Sequence, residues 1–134
     1  MLISVIANVS SAEELQLCIW SPVNNNIAYV KNNNVYYRDN IGNEYQLTTD
    51  GFPGVIYNGV PDWVYEEEVF GTAGAIWFSP DGNKMAIASF DDTDVEIFKY
   101  YLYGEPGMME NQYPEEVSIR YPKVGKLYAH ELFT

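Results

Sequence analysis

The sequence is poor in the residues that carry most protein chemistry. It contains one cysteine, Cys18, and one histidine, His130, among 134 residues. A lone cysteine excludes a disulfide within the chain. Set in the run Leu15-Gln16-Leu17-Cys18-Ile19-Trp20, it reads as a small buried hydrophobe. One His and one Cys cannot furnish the ligand set of a zinc site, and no Gly-rich phosphate loop is present. No metal and no cofactor are therefore expected. Positive charge is also scarce, with 7 Lys and Arg against 19 Asp and Glu and a net charge of −12. Such a surface repels phosphate backbones, which argues against a nucleic-acid partner. No apolar run approaches the roughly 20 residues that span a bilayer, so no membrane contact is expected from this segment. Met1 to Ala7 is apolar, but it is short and lacks the basic start of a signal peptide. A Gly-x-Ser-x-Gly nucleophile elbow is missing. His130 lies close to the C-terminal end, where a histidine is rarely held between two triad partners. No catalytic residue is expected, and the chain alone is expected to be inactive.

What is present is strand material. Hydrophobic residues make up 47% and aromatics 16%, including 12 Tyr, a composition suited to pleated, half-buried surfaces. Two segments resemble each other: Ile19-Trp20-Ser21-Pro22-Val23-Asn24-Asn25-Asn26-Ile27-Ala28-Tyr29-Val30 and Trp77-Phe78-Ser79-Pro80-Asp81-Gly82-Asn83-Lys84-Met85-Ala86-Ile87-Ala88. Each is an apolar strand, a Ser-Pro turn completed by residues that tolerate positive φ, and a second apolar strand. Further strands are predicted at 35–39 and 44–47 after the first hairpin, and at 95–102 and 116–120 after the second. Two antiparallel units of about four strands each are the pattern of propeller blades, with Trp20 and Trp77 in equivalent places. An up-and-down barrel or a sandwich is the alternative. The expected class is all-β, a partial β-propeller with a short helical insertion.

Two polar stretches interrupt the strands. In Pro61-Asp62-Trp63-Val64-Tyr65-Glu66-Glu67-Glu68-Val69-Phe70-Gly71, Asp62 suits an N-cap and Gly71 a helix end. A short helix is expected there, between the blades. Its three Glu either decorate a first turn and favour its dipole, or include two carboxylates that converge on a primary ammonium. Neighbours on a regular helix point about 100° apart, so convergence needs a helix end or an irregular turn. The other stretch, Asp91-Asp92-Thr93-Asp94, lacks the spaced ligands of a calcium loop and reads as a solvated turn. Residues 103–114 hold two Gly and two Pro and read as a loop or extended arm.

The string Asn58-Gly59-Val60-Pro61-Asp62-Trp63-Val64-Tyr65-Glu66-Glu67-Glu68 resembles the double-Glu motif of the dipeptidyl peptidase IV and fibroblast activation protein family. The resemblance continues through Trp77-Phe78-Ser79-Pro80-Asp81-Gly82 and Phe90-Asp91-Asp92-Thr93-Asp94 to Tyr121-Pro122-Lys123-Val124-Gly125. It divides the chain into a poorly matched segment 1–14, propeller material at 15–125 with the helix about 61–71 between two blades, and a divergent tail 126–134. The resemblance implies a serine exopeptidase in which a propeller sits over an α/β-hydrolase domain. By motif position, Glu67 and Glu68 would bind the free N-terminus of a peptide substrate, while Glu66 faces elsewhere. Gly71 stands where some members have a serine near the bound amine. The resemblance further implies a homodimer formed through the 95–120 insertion and an extracellular location, to which the Asn8-Val9-Ser10 glycosylation pattern at Asn8 is suited. A non-catalytic propeller module, like the family's inactive members, is the alternative.

Overall fold

A computed structural model describes residues 14–134; Asn8 and most of the 1–14 segment lie outside the described residues. Ten strands are present among them: β1 (Leu17–Trp20), β2 (Ile27–Lys31), β3 (Asn34–Arg38), β4 (Glu44–Gln46), β5 (Ile56–Asn58), β6 (Ile76–Phe78), β7 (Met85–Asp91), β8 (Ile97–Leu102), β9 (Glu115–Arg120) and β10 (His130–Phe133). All pairings are antiparallel.

The first unit is the expected four-stranded meander, β1-β2-β3-β4. Its turns follow from local chemistry. Asn24 and Asn25 take φ of 64° and 54° between β1 and β2, which Asn tolerates better than most residues. Between β3 and β4, Asp39 Oδ1 accepts the N–H of Ile41 at 3.1 Å and of Asn43 at 2.8 Å. On one face, Tyr29 and Tyr36 lie opposite each other across β2 and β3 and stack at 5.2 Å, a cross-strand aromatic pair.

The second unit departs from expectation. Its central strand β7 is flanked on one edge by β6 along 85–87 and by β5 along 89–91. The helical insertion is thus spliced into what would be a single edge strand. On the other edge, β7 pairs with β10, with Glu131 opposite Phe90 and Phe133 opposite Ala88. The third and fourth strands were expected from 95–102 and 116–120. These instead form a separate two-stranded ribbon, β8-β9. The reason is that both edges of β7 are already occupied. In addition, the chain turns away directly after β7, where Val95 N–H bonds to Asp92 O at 3.0 Å. The segment 126–134 therefore supplies β10 to the sheet.

Trp20 and Trp77 both lie on the first strand of a hairpin but one place out of step. Trp20 pairs with Ile27 and Phe78 with Met85, and the following Ser21 and Ser79 N–H groups close the two turns on Asn26 O and Lys84 O. Phe78 is therefore the counterpart of Trp20, and Trp77 that of Ile19. Cys18 also departs from expectation: it is exposed. Strand alternation turns Leu17 and Ile19 inward and Cys18 and Trp20 outward.

The two units pack face to face. Ala28, Val30 and Val35 of the first meet Val60, Ile76 and Ile87 of the second in one buried cluster. Contact is close enough to require glycine at 59. A Cβ there would lie 2.7 Å from Val35 Cγ2 and 2.8 Å from Ile76 Cδ1. A polar tie runs beside this core. Asn58 Nδ2 donates to Asn33 O at 3.1 Å and to Asp50 Oδ1 at 3.0 Å, while its Oδ1 accepts from Ser89 Oγ.

Candidate functional site

The insertion predicted as a helix is one, and its core is π-helical. Trp63 and Val64 are α-helical and Tyr65–Phe70 is a π-helix that ends on Gly71 in the left-handed region at φ 62°. Asp62 caps it as expected. Its Oδ1 accepts the N–H of Val64 at 2.8 Å and of Tyr65 at 2.9 Å.

Packing explains the π geometry. Tyr65 and Phe70 both rest on Phe90, with ring centroids 5.0 and 5.9 Å away, and contact each other edge to face at 5.9 Å. At 100° per residue, an α-helix would put this i, i+5 pair about 140° apart around the axis. A turn closed by i→i+5 bonds holds more residues and brings the two rings onto one face. Phe90 is fully buried with Ala75 and Ala88. Trp77 extends the aromatic cluster, at 6.0 Å from Phe70 and 6.5 Å from Phe133. Tyr65 also reaches β10, where its hydroxyl donates to Glu131. Burial and this carboxylate both push the phenol upward.

With Tyr65 and Phe70 facing inward, Glu67 and Glu68 face out. Both are exposed, and Glu66 is half-buried. Neither Glu67 nor Glu68 has a hydrogen bond or ion pair with any described residue. A wider turn also sets successive side chains less than 100° apart. The pair is thus free to accept the N–H bonds of a cation in front of it.

Beneath the helix lies a group that the sequence did not reveal. The run Asp91-Asp92-Thr93-Asp94 reads as a solvated turn, and Asp91 behaves that way, accepting the Thr93 N–H at 2.9 Å. Asp92 does not. It is 2% exposed, next to Asp62 at 4%. Both carboxyls line one small pocket, each shifts the other's ionisation, and Asp62 Oδ2 and Asp92 Oδ1 have no hydrogen-bond partner among the described residues. Asp92 is pushed up to about 7, first by burial and then by the charge of Asp62, with Arg120 opposing. Asp62 is also raised by burial, although the Tyr65 and Val64 N–H groups favour its charged form. The Arg120 guanidinium is held beside them by Val95 O at 2.7 Å and Thr93 O at 3.1 Å.

The remaining expected features are placed as follows. The β8-β9 ribbon projects with every residue of β8 exposed, and 103–114 is a loop containing a short 3-10 turn at Met109–Asn111. Between the ribbon and the helix start is an open cleft of about 490 Å3, lined by Trp63, Phe98, Tyr100, Ile119, Tyr121 and Lys123. His130 sits on β10, exposed, with Nε2 3.9 Å from Asp94 Oδ2. No serine or threonine is bonded to it among the described residues. No group of acidic, His or Cys side chains suited to a metal ion occurs among them either.

Comparison with known proteins agrees with this architecture. Residues 3–130 match the model of the dipeptidyl peptidase IV N-terminal region. The chain is 52% identical over 117 residues to venom dipeptidyl peptidase 4 of Vespula vulgaris, covering 84% of this chain and 15% of that protein. It is 44% identical over 112 residues to human prolyl endopeptidase FAP, covering 83% of this chain and 14% of that protein. The crystal structure of Porphyromonas gingivalis dipeptidyl peptidase 4 superposes with a TM-score of 0.77 at 29% identity, over 92% of this chain and 17% of that one. The chain thus spans about 15% of the length of the curated relatives it matches. A split propeller-type sheet with a spliced-in helix, matched over nearly all its length, makes this chain a member of the dipeptidyl peptidase IV N-terminal region family.

Proposed function

We propose that this segment is the substrate-amine recognition part of a dipeptidyl-peptidase propeller, with Glu67 and Glu68 as the residues that bind the ammonium of a peptide N-terminus. One observation carries the reading. Two adjacent carboxylates stand exposed and unpaired on a π-helical turn whose opposite face is locked into the core by Tyr65 and Phe70. A rigid support with unpaired carboxylates is what selective recognition of a primary ammonium needs, because holding the acceptors in place in advance lowers the cost of binding. Relatives named as dipeptidyl peptidases support peptides as the substrate class.

Two further parts of the reading concern the whole protein. The exposed apolar residues of the ribbon and its loop, among them Tyr101, Tyr103, Met109 and Tyr113, form a patch of the kind that marks an interface. A second copy of the chain is the proposed partner, giving a homodimer. An extracellular location is proposed because relatives carry venom in their names.

The test is kinetic, in the intact peptidase that carries this segment. Loss of one charged hydrogen-bond partner costs about 1.5–3 kcal/mol, or roughly ten- to hundredfold in kcat/KM. Glu67→Ala and Glu68→Ala should each show that fall, and the double variant should lose less than the product of the two. Glu66→Ala should stay within about threefold of the parent. Equal, small effects at all three positions would mean that the glutamates serve only the helix.

A further inference from the structure

The buried Asp62–Asp92 pair lies at the start of the helix that carries Glu67 and Glu68. Asp62 Oδ1 already serves the helix, accepting the Val64 and Tyr65 N–H groups. Its Oδ2 and Asp92 Oδ1 are both buried in the lining of one small pocket, and neither has a hydrogen-bond donor among the described residues. Two ionised carboxylates side by side and out of water repel each other strongly. One proton between them removes the repulsion and satisfies both atoms. Asp92 belongs to the turn that follows β7, and its N–H is bonded to Val55 O at 2.8 Å, so that proton joins the helix to the sheet.

We propose that Asp62 and Asp92 share one proton, donated from Asp92 to Asp62, and that this bond is a pH-sensitive latch fixing the N-terminal end of the π-helix that presents Glu67 and Glu68. They are positioning residues, and the functional consequence rests on the ammonium-recognition reading above. The latch itself does not.

The groups facing the pair set the direction of its pH dependence. Arg120 from β9 favours ionisation of Asp92, while Asp91 opposes it and Glu131 on β10 opposes ionisation of Asp62. Tyr57 of β5 and Tyr65 of the helix are both raised phenols, neutral throughout the range concerned. His130 acts on Asp91 and lies near Asp94. The folded value for Asp92 is about 7, against an ordinary 3.8. A raised carboxyl contributes stability that is complete below the unfolded value and is lost as pH climbs through the folded one. The latch should therefore weaken from about pH 4 to pH 7 and be open above that.

Asp92→Asn in the full chain tests this, because an amide donates to Asp62 at every pH. The melting temperature of the variant minus that of the parent should rise across pH 4–7 and level off above it. At pH 8, the Val64 and Tyr65 amides should exchange with solvent at least about tenfold more slowly in the variant, the equivalent of one pKa unit. A difference in melting temperature that stays flat with pH would overturn the proposal. Should the variant fail to fold, carboxyl 13C titration of the parent decides: one buried aspartate still protonated at pH 6 supports the latch, and all aspartates ionised by pH 5 overturns it. None of these readouts involves Glu67 or Glu68, so failure of the recognition reading would leave them unchanged.

Discussion

Phe90 is the residue on which the π-helix rests. It is fully buried on β7, opposite Tyr57 of β5 and Glu131 of β10, and both inward-facing rings of the π-helix rest on it. Removing a buried phenylalanine costs about 3–5 kcal/mol. Phe90→Ala should fall in that range by urea unfolding, and Phe90→Leu, which keeps much of the volume, should lose clearly less. A loss below about 1 kcal/mol for the alanine variant would mean that the helix is held by something other than these rings. Gly71 shows the limit of a residue-level comparison. Nothing lies within 4 Å of where its Cβ would be, so space does not demand glycine, and the left-handed backbone alone favours it.

Among the elements, the ribbon and the helix contrast in what holds them. The helix is capped, packed and tied to three strands. The ribbon is supported at its base, where Arg120 holds the Thr93 and Val95 carbonyls. Along its length runs the exposed Lys99–Glu116 pair at 2.7 Å. An exposed ion pair contributes about 0–1 kcal/mol, so Lys99→Ala should scarcely change stability. The apolar face of the ribbon matters more for assembly. Sedimentation of the parent at tens of micromolar, roughly where weak interfaces fill, should show a self-associated species. Tyr101→Lys should shift it to monomer by placing a charge in the contact. A monomeric parent would contradict the proposed dimer.

At the scale of the whole molecule, the two units are joined by an apolar cluster and by the Asn33–Asn58 tie. Asn58 is 1% exposed and serves Asn33, Asp50 and Ser89. Asn58→Ala leaves buried partners unpaired at about 1–3 kcal/mol each. It should lower stability by more than its small volume change suggests, measured as the denaturation midpoint at constant slope.

What the sequence revealed follows the reach of each signal. Both Ser-Pro hairpins were legible because their turn chemistry is local, and the Asp62 cap was legible for the same reason. The fate of the strands after β7 was not, because pairing there was decided by a competition for β7 edges. The winner was His130–Phe133, a short segment with no periodicity of its own. Cys18 was misplaced because Leu17-Cys18-Ile19-Trp20 is apolar throughout, and only strand pairing shows which side chains alternate outward. Asp92 was hidden among neighbours that are solvated. It is buried among Asp62, Tyr65, Arg120 and Ala129, residues distant in sequence that only the tertiary fold brings to it.

Glu67 and Glu68 remain the centre of the account, and a change in the ligand tests them more directly than a change in the protein. N-acetylation removes the charge on a peptide N-terminus while leaving the rest of the substrate intact. The measurement is kcat/KM of the intact peptidase for a Gly-Pro amide with a free amine and for its N-acetyl derivative. Loss of the charge-assisted bonds to both carboxylates should lower kcat/KM for the acetylated substrate by at least about a hundredfold. Glu67→Ala or Glu68→Ala should narrow that gap. Equal cleavage of the two substrates by the parent would show that the two glutamates do not hold the amine.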